Sequence, residues 1–386
     1  MSGQRNPFFH LVRPRPRLFV ATAIAIAFGI LLPPEVSSHS VTRWLLAWNV
    51  GAGPFVVLAA IMMMRSAHHM RHRAQLQDDG HGELRHRRRG LPTGDLVMAK
   101  TELSHLHPAA WALPALDDDE RILALQRDRW IDYPRAADAL RRLERLLQTP
   151  ERERMPCMVM HGPSNIGKTL IIAKFLRDHP PRFDDVRGVE RRPVLVMQMP
   201  ATPDQSRFYR ALLFEVGAPQ SANATLASLE QLAHDILRRV APRMLVVDEV
   251  HHLLAGSHRE QRASLNLLKY LANDLKICVV AVGTSDAPVA LQTDPQMSSR
   301  FAPFELPRWS ESEDFRRLVG SFEQALPLRR ASELVRRPIV QYLVAASGGL
   351  LGEVSRMLNA AAEQAIRDGS ERVSLQHLEQ ASYALA

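Results

Sequence analysis

The run Gly162-Pro163-Ser164-Asn165-Ile166-Gly167-Lys168-Thr169 restricts this chain more than any other feature. It stands between a short apolar run, 155–160, and a helical pattern, 169–177. The spacing G-x-x-x-x-G-K-[ST], after a strand and before a helix, is that of a phosphate cradle. Its glycines let the backbone wrap closely and aim N–H groups at phosphate oxygens. Lys168 places an ammonium on the β and γ phosphates, and Thr169 offers a hydroxyl to Mg²⁺. The helix that begins there turns the positive end of its dipole toward the anion. All eight residues are assigned to nucleotide binding.

The rest of the chain supplies a fold for that loop. Of its 386 residues 46% are apolar, enough for a large core in two or three domains. Further apolar runs lie at 194–199, 244–247, 277–282 and 301–306, and helical patterns fill the gaps. In 261–275, Leu265, Leu268, Leu271, Ala272 and Leu275 recur on one face. Apolar strands alternating with helices predict an α/β fold: a parallel sheet of five strands covered on both faces. After Pro307 the pattern is wholly helical, at 313–326, 338–347, 352–367 and 374–385, as expected of a C-terminal helical lid. Cys157 and Cys278 sit in apolar runs and read as core thiols.

The run 244–247 ends in Asp248-Glu249, an acidic pair at the end of an apolar strand. Asp248 is assigned to the Mg²⁺ shell, together with Thr169, and to nucleotide binding. Glu249 is assigned as the general base that polarises the attacking water. The pair argues for hydrolysis of ATP rather than binding alone. Thr284, at the end of the fourth run, is a candidate sensor of the γ-phosphate or the lytic water; a plain turn threonine is the other reading. Arg300 is placed to enter a neighbouring subunit's site and stabilise transition-state charge, or else to form a surface ion pair. Arg356 either reaches the γ-phosphate across the cleft or is a solvated helix arginine.

These residues bring a resemblance into view. Residues from about 98 to 386 resemble the TniB-type transposition ATPases, AAA+ relatives of the TnsC target-selection proteins. The resemblance rests on DEVHHLLAGSHREQRASLNLLKYLANDLKICVVAVGTSDA at 248–287, LQTDPQMSSRFAPFELPRW at 291–309 and WIDYPRA at 130–136. His252 departs from it, since relatives tend to carry Asn there. The resemblance implies an AAA+ P-loop NTPase that uses ATP and Mg²⁺ and forms a homo-oligomer on double-stranded DNA without sequence preference. It further implies recruitment of a transposase, with an accessory target-selection protein, and release on hydrolysis. Ile131 and Tyr133 would then lie near the adenine. Arg207, Arg259 and Arg262 are candidate phosphate contacts or solvated surface charges.

The net charge of +8 does not itself speak for DNA. Residues 1–100 hold 13 basic and 5 acidic groups, and the remaining 286 hold 36 of each. The excess belongs to the N-terminal segment. Two apolar stretches occur there, 18–32 and 44–64, of 15 and 21 residues. A spanning helix needs about 20 residues, and arginines flank the pair at both outer ends, as suits a two-helix transmembrane hairpin in the bacterial inner membrane. A signal peptide fits poorly because no small-x-small cleavage site precedes Pro33-Pro34; soluble core is the other alternative. Residues 1–80 also resemble, through RPRL, RWLLAW and QDDG, the start of a family of multi-pass inner-membrane proteins. The expected organisation is a membrane hairpin at 1–80, a basic linker at 81–100, an ATPase core at 101–307 and the lid at 308–386. A membrane-anchored remodelling or secretion ATPase, or a gene fusion without function, are the alternatives to a transposition regulator.

Overall fold

Residues 103–186, 188–292 and 299–385 are described by a computed structural model. The chain divides into two units, Met1–Leu96 and Val97–Ala386, and all described residues lie in the second. In chain order its elements are α1 (Asp118–Leu125), α2 (Pro134–Leu147), β1 (Cys157–His161), α3 (Lys168–Asp178), β2 (Arg182–Asp184), β3 (Val189–Arg191) and β4 (Val194–Gln198). There follow α4 (Gln205–Glu215), α5 (Leu226–Val240), β5 (Met244–Asp248), α6 (His258–Asp274), β6 (Cys278–Gly283), α7 (Ala287–Gln292) and β7 (Phe301–Glu305). Four helices close the chain: α8 (Glu313–Glu323), α9 (Arg337–Ser347), α10 (Leu351–Arg367) and α11 (Leu375–Leu385).

Five strands form one parallel sheet in the order β4-β5-β6-β1-β7, while β2 and β3 make a separate antiparallel hairpin. The strands are apolar up to their carboxyl ends, where His161, Gln198, Asp248 and Glu305 stand, and the three central ones, β5, β6 and β1, are covered on both faces. Alternate residues feed two separate cores. Met158, Met160, Val246, Val280, Val282 and Phe304 face one side, against α2, α3 and the C-terminal helices. Cys157, Val159, Leu245, Val247, Val279 and Ala281 face the other, against α4, α5 and α6. Both cysteines are buried free thiols, and burial pushes Cys157 up to about 11.

Local signals set the helix ends. Ser257 and Glu260 cap α6 reciprocally, so that helix begins three residues before the apolar pattern does. Gly348 and Gly349 both adopt positive φ and separate α9 from α10. A side chain at Gly349 would meet the Trp309 carbonyl oxygen at 2.3 Å.

The expected transmembrane hairpin requires correction. Among the described residues no helix is long and apolar enough to cross a membrane. The longest, α6 and α10, have 17 residues each and bury one face only, short of the roughly 20 apolar residues a span needs. The stretches 18–32 and 44–64 themselves lie outside the described residues.

Helix α1 is tied to the C-terminal bundle by a buried ion pair. The Arg121 guanidinium, 0% exposed, donates to both Glu371 carboxylate oxygens, one at 2.9 Å, and to the Pro327 carbonyl oxygen at 2.8 and 3.0 Å. Arg329 adds a second guanidinium at 3.0 Å. Arg121→Ala leaves the carboxylate buried beside Arg329 alone, and urea unfolding should show a loss of about 3 kcal/mol. Burial by itself would raise the Glu371 carboxyl, but Arg121 and Arg329 hold it below its ordinary 4.5. Its stabilisation is therefore complete above about pH 4.5 and is lost as pH falls through the lower folded value. The pH dependence of the same unfolding curves checks the sign.

Candidate active site

The loop between β1 and α3 is built from positions that tolerate little else. A Cβ on Gly162 would lie 2.3 Å from the Leu306 carbonyl oxygen, so β7 and the loop touch backbone to backbone. Gly167 has φ 99° and Asn165 φ 64°, both left-handed. Ile166, 2% exposed, pins the loop into the core while Ser164 and Asn165 are exposed at its tip. No side chain caps the start of α3, which leaves its first N–H groups for another acceptor. Lys168 Nζ donates to the Gly162 and Pro163 carbonyls at 2.9 and 2.7 Å. Burial lowers this ammonium below its ordinary value, against the pull of Asp248 and Glu249.

Strand order brings the acidic pair to this loop. β6 separates β1 from β5, and Lys168 and Thr169 of the loop both act on the Asp248 carboxylate across its end. Burial raises the Asp248 carboxyl, while the Glu249 N–H, at 2.8 Å, Lys168 and Thr169 pull it back. Glu249 itself is left-handed, with φ 55° and ψ 35°. Non-glycine residues in that region cost about 1–3 kcal/mol and cluster where a side chain must be aimed. Its carboxylate lies 3.1 Å from His251 Nδ1. Thr284 Oγ1 is buried without a hydrogen-bond partner.

Glu249, Thr284, Lys168, Thr169, Ser164, Asn165 and Gly167 line one cavity of about 440 Å³, within the range of small-ligand sites. Trp130, Ile131 and Tyr133 line its other end, and burial pushes the Tyr133 hydroxyl up to about 12. The donor set fits a nucleotide with a divalent cation. Orphan helix amides and an ammonium face one end, and a hydroxyl–carboxylate pair of the kind Mg²⁺ takes stands beside them. The unpartnered Thr284 hydroxyl points to a missing acceptor or donor.

Two sequence candidates lie elsewhere. Arg356 does not line the cavity; it pairs with Glu353 at 2.9 Å on α10. The residues of α10 that do line it are Leu351, Gly352, Ser355 and Asn359. Arg300 precedes β7 at the amino-terminal edge of the sheet, opposite the carboxyl ends that bear the loop, and donates to Asn273 at 3.0 Å. Sequence reasoning missed Arg129, which is largely buried and donates to Asn359 at 2.5 Å and to the Ala325 carbonyl at 2.8 Å. A basic residue in a loop gives no signal of burial; only the bundle packed against it does.

Comparison with known proteins places this geometry. Residues 121–311 match the family described as bacterial TniB protein. The match starts beyond residue 80, so the likeness of residues 1–80 to inner-membrane proteins finds no support. No curated protein matches the chain. Among solved structures, Cdc6p of Pyrobaculum aerophilum is 14% identical and covers 70% of this chain and 71% of its own, with a TM-score of 0.51. The Aeropyrum pernix ORC1 protein, solved with DNA, is 18% identical over 68% and 69%, with a TM-score of 0.48. The α/β fold with its five-stranded parallel sheet is consistent with that of an AAA+ P-loop NTPase.

Gly162→Ala tests the backbone contact with β7. The added methyl should cost about 1–3 kcal/mol through overpacking and weaken nucleotide binding. Thermal melts with and without ATP measure both effects.

Proposed function

The core of this chain, residues 121–311, belongs to the TniB family, and on that premise we propose that the protein is an ATP-dependent regulator of DNA transposition. It oligomerises on target DNA, recruits a transposase, and leaves the DNA when ATP is hydrolysed. One observation carries the ATPase part of this reading: Lys168 and Thr169 of the phosphate loop and Glu249 of the acidic strand end line a single cavity. The DNA and transposase parts are supported by the family match.

In this reading Gly162 to Thr169 hold the triphosphate, with Lys168 turned from its own loop carbonyls onto phosphate oxygens. Thr169 and Asp248 hold Mg²⁺, which when bound neutralises charge between the phosphates. Glu249, aimed by its left-handed backbone, takes the proton of the attacking water, and Thr284 orients that water. Trp130, Ile131 and Tyr133 receive the base. Arg300, remote from the cavity of its own subunit, acts on a neighbour's nucleotide in the oligomer. Arg207, Arg259 and Arg262 are all exposed, as phosphate contacts must be.

Lys168→Ala should abolish ATP binding, measured by a fluorescent ATP analogue. Glu249→Gln should keep that binding and slow phosphate release by about 10²–10⁴-fold. Normal turnover in Glu249→Gln would remove the base assignment. Duplex DNA should be bound more tightly with ATP than with ADP, and the affinity should fall steeply with salt. Equal binding in both nucleotide states, insensitive to salt, would exclude the switch.

A further inference from the structure

The turn after β5 carries a group of side chains that nucleotide hydrolysis does not account for. A 3₁₀ helix, Val250–Ala255, follows Glu249 directly. Val250 and Leu253 are 0% exposed and anchor it. His251 and His252 stand half-buried between these anchors, with ring centroids 4.9 Å apart. One donor atom from each of Glu249, His251 and His252 lies within 4.8 Å of the others.

We propose that Glu249, His251 and His252 bind one divalent transition-metal ion of the zinc class, and that the bound ion arrests ATP hydrolysis by holding the Glu249 carboxylate. The second half rests on Glu249 being the general base. The first half stands on geometry alone. Tetrahedral zinc, with bonds of about 2.0–2.2 Å, sets its donor atoms about 3.3 Å apart. Glu249 Oε2 and His251 Nδ1, at 3.1 Å, are already near that spacing. Their approach lacks hydrogen-bond geometry, since His251 Nδ1 is buried and makes no hydrogen bond. A plain ion pair leaves that nitrogen unsatisfied, whereas a metal would use its lone pair.

His252 is prepared in the way metal-binding imidazoles are. Its Nδ1 lies 3.1 Å from the Met199 carbonyl oxygen. A carbonyl only accepts, so Nδ1 carries the proton and Nε2 keeps its lone pair. Such outer bonds orient the ring and raise its basicity. Two imidazoles and a carboxylate suit zinc-class ions, while Mg²⁺ prefers oxygen ligands. The site therefore does not compete for the cation assigned to Thr169 and Asp248. Three protein ligands leave the fourth position to water.

The test uses the full chain, stripped of metal and free of nucleotide. Zn²⁺ is titrated by calorimetry and Co²⁺ by its visible absorption, for the wild type, His251→Gln and His252→Asn. Each variant should lose one equivalent or bind it at least tenfold more weakly. Other histidines contribute equally to all three proteins, and melting curves establish that each is folded. Unchanged stoichiometry and affinity in both variants would overturn the site. In a second measurement Zn²⁺ is added to the ATPase reaction at fixed Mg–ATP, and each protein is scaled to its own metal-free rate. The half-inhibiting concentration should rise at least tenfold in the variants; no rise would overturn the arrest. A wild type without turnover would count against the ATPase reading, while the metal titration would still decide the site.

Discussion

The placement of the phosphate loop beside the acidic end of β5, with Lys168, Thr169 and Glu249 on one cavity, is the constraint on which the rest of the site depends. Neighbouring strands lie about 4.8 Å apart, so the insertion of β6 puts β5 roughly 10 Å from β1. A side chain on the first turn of α3 can meet a carboxylate at the end of β5 only over the end of the strand between them. That end is Gly283, where an added Cβ would crowd Ala287 at 3.0 Å and Val250 at 3.3 Å. The next residue, Thr284, lines the same cavity. Loop, acid pair and sensor position thus follow from one strand order.

The C-terminal bundle is part of this arrangement rather than an appendage. Gly352 donates its N–H to the Asn165 carbonyl at 2.9 Å, and the Asn165 side chain donates to Glu353 at 2.9 Å. A Cβ on Gly352 would lie 1.9 Å from the Asn165 side chain. The tip of the phosphate loop is therefore gripped by the start of α10, while Arg129 fastens Asn359, further along that helix, to the loop before α2. The buried Arg121–Glu371 pair holds α1 on the same bundle. Two hydrogen bonds at Asn165 thus join the bundle to the loop.

Glu249 occupies the point where these constraints meet. Its left-handed backbone closes β5 and starts the 3₁₀ helix. That position places it against His251 on one side and the cavity on the other.

Much was legible in the residues because it is local. The phosphate loop, the five apolar strands and the four closing helices each follow from spacing and periodicity within a few residues, and the strands fall within two residues of the expected runs. What contiguous sequence does not carry is which distant surfaces meet. Arg356 and Asn359 differ by less than one helical turn, yet only Asn359 faces the cavity, because the orientation of α10 is set by its packing on Arg129 and Asn165. Arg300 is expected at the edge of the domain from its place before β7, and parallel pairing with β1 puts it at the amino-terminal edge of the sheet, away from its own subunit's cavity. Residue chemistry by itself marked 162–169 as a loop with the glycines, lysine and threonine of a phosphate cradle. The strand order and the docking of the bundle, which arise from burying two apolar faces at once, decided what else surrounds it.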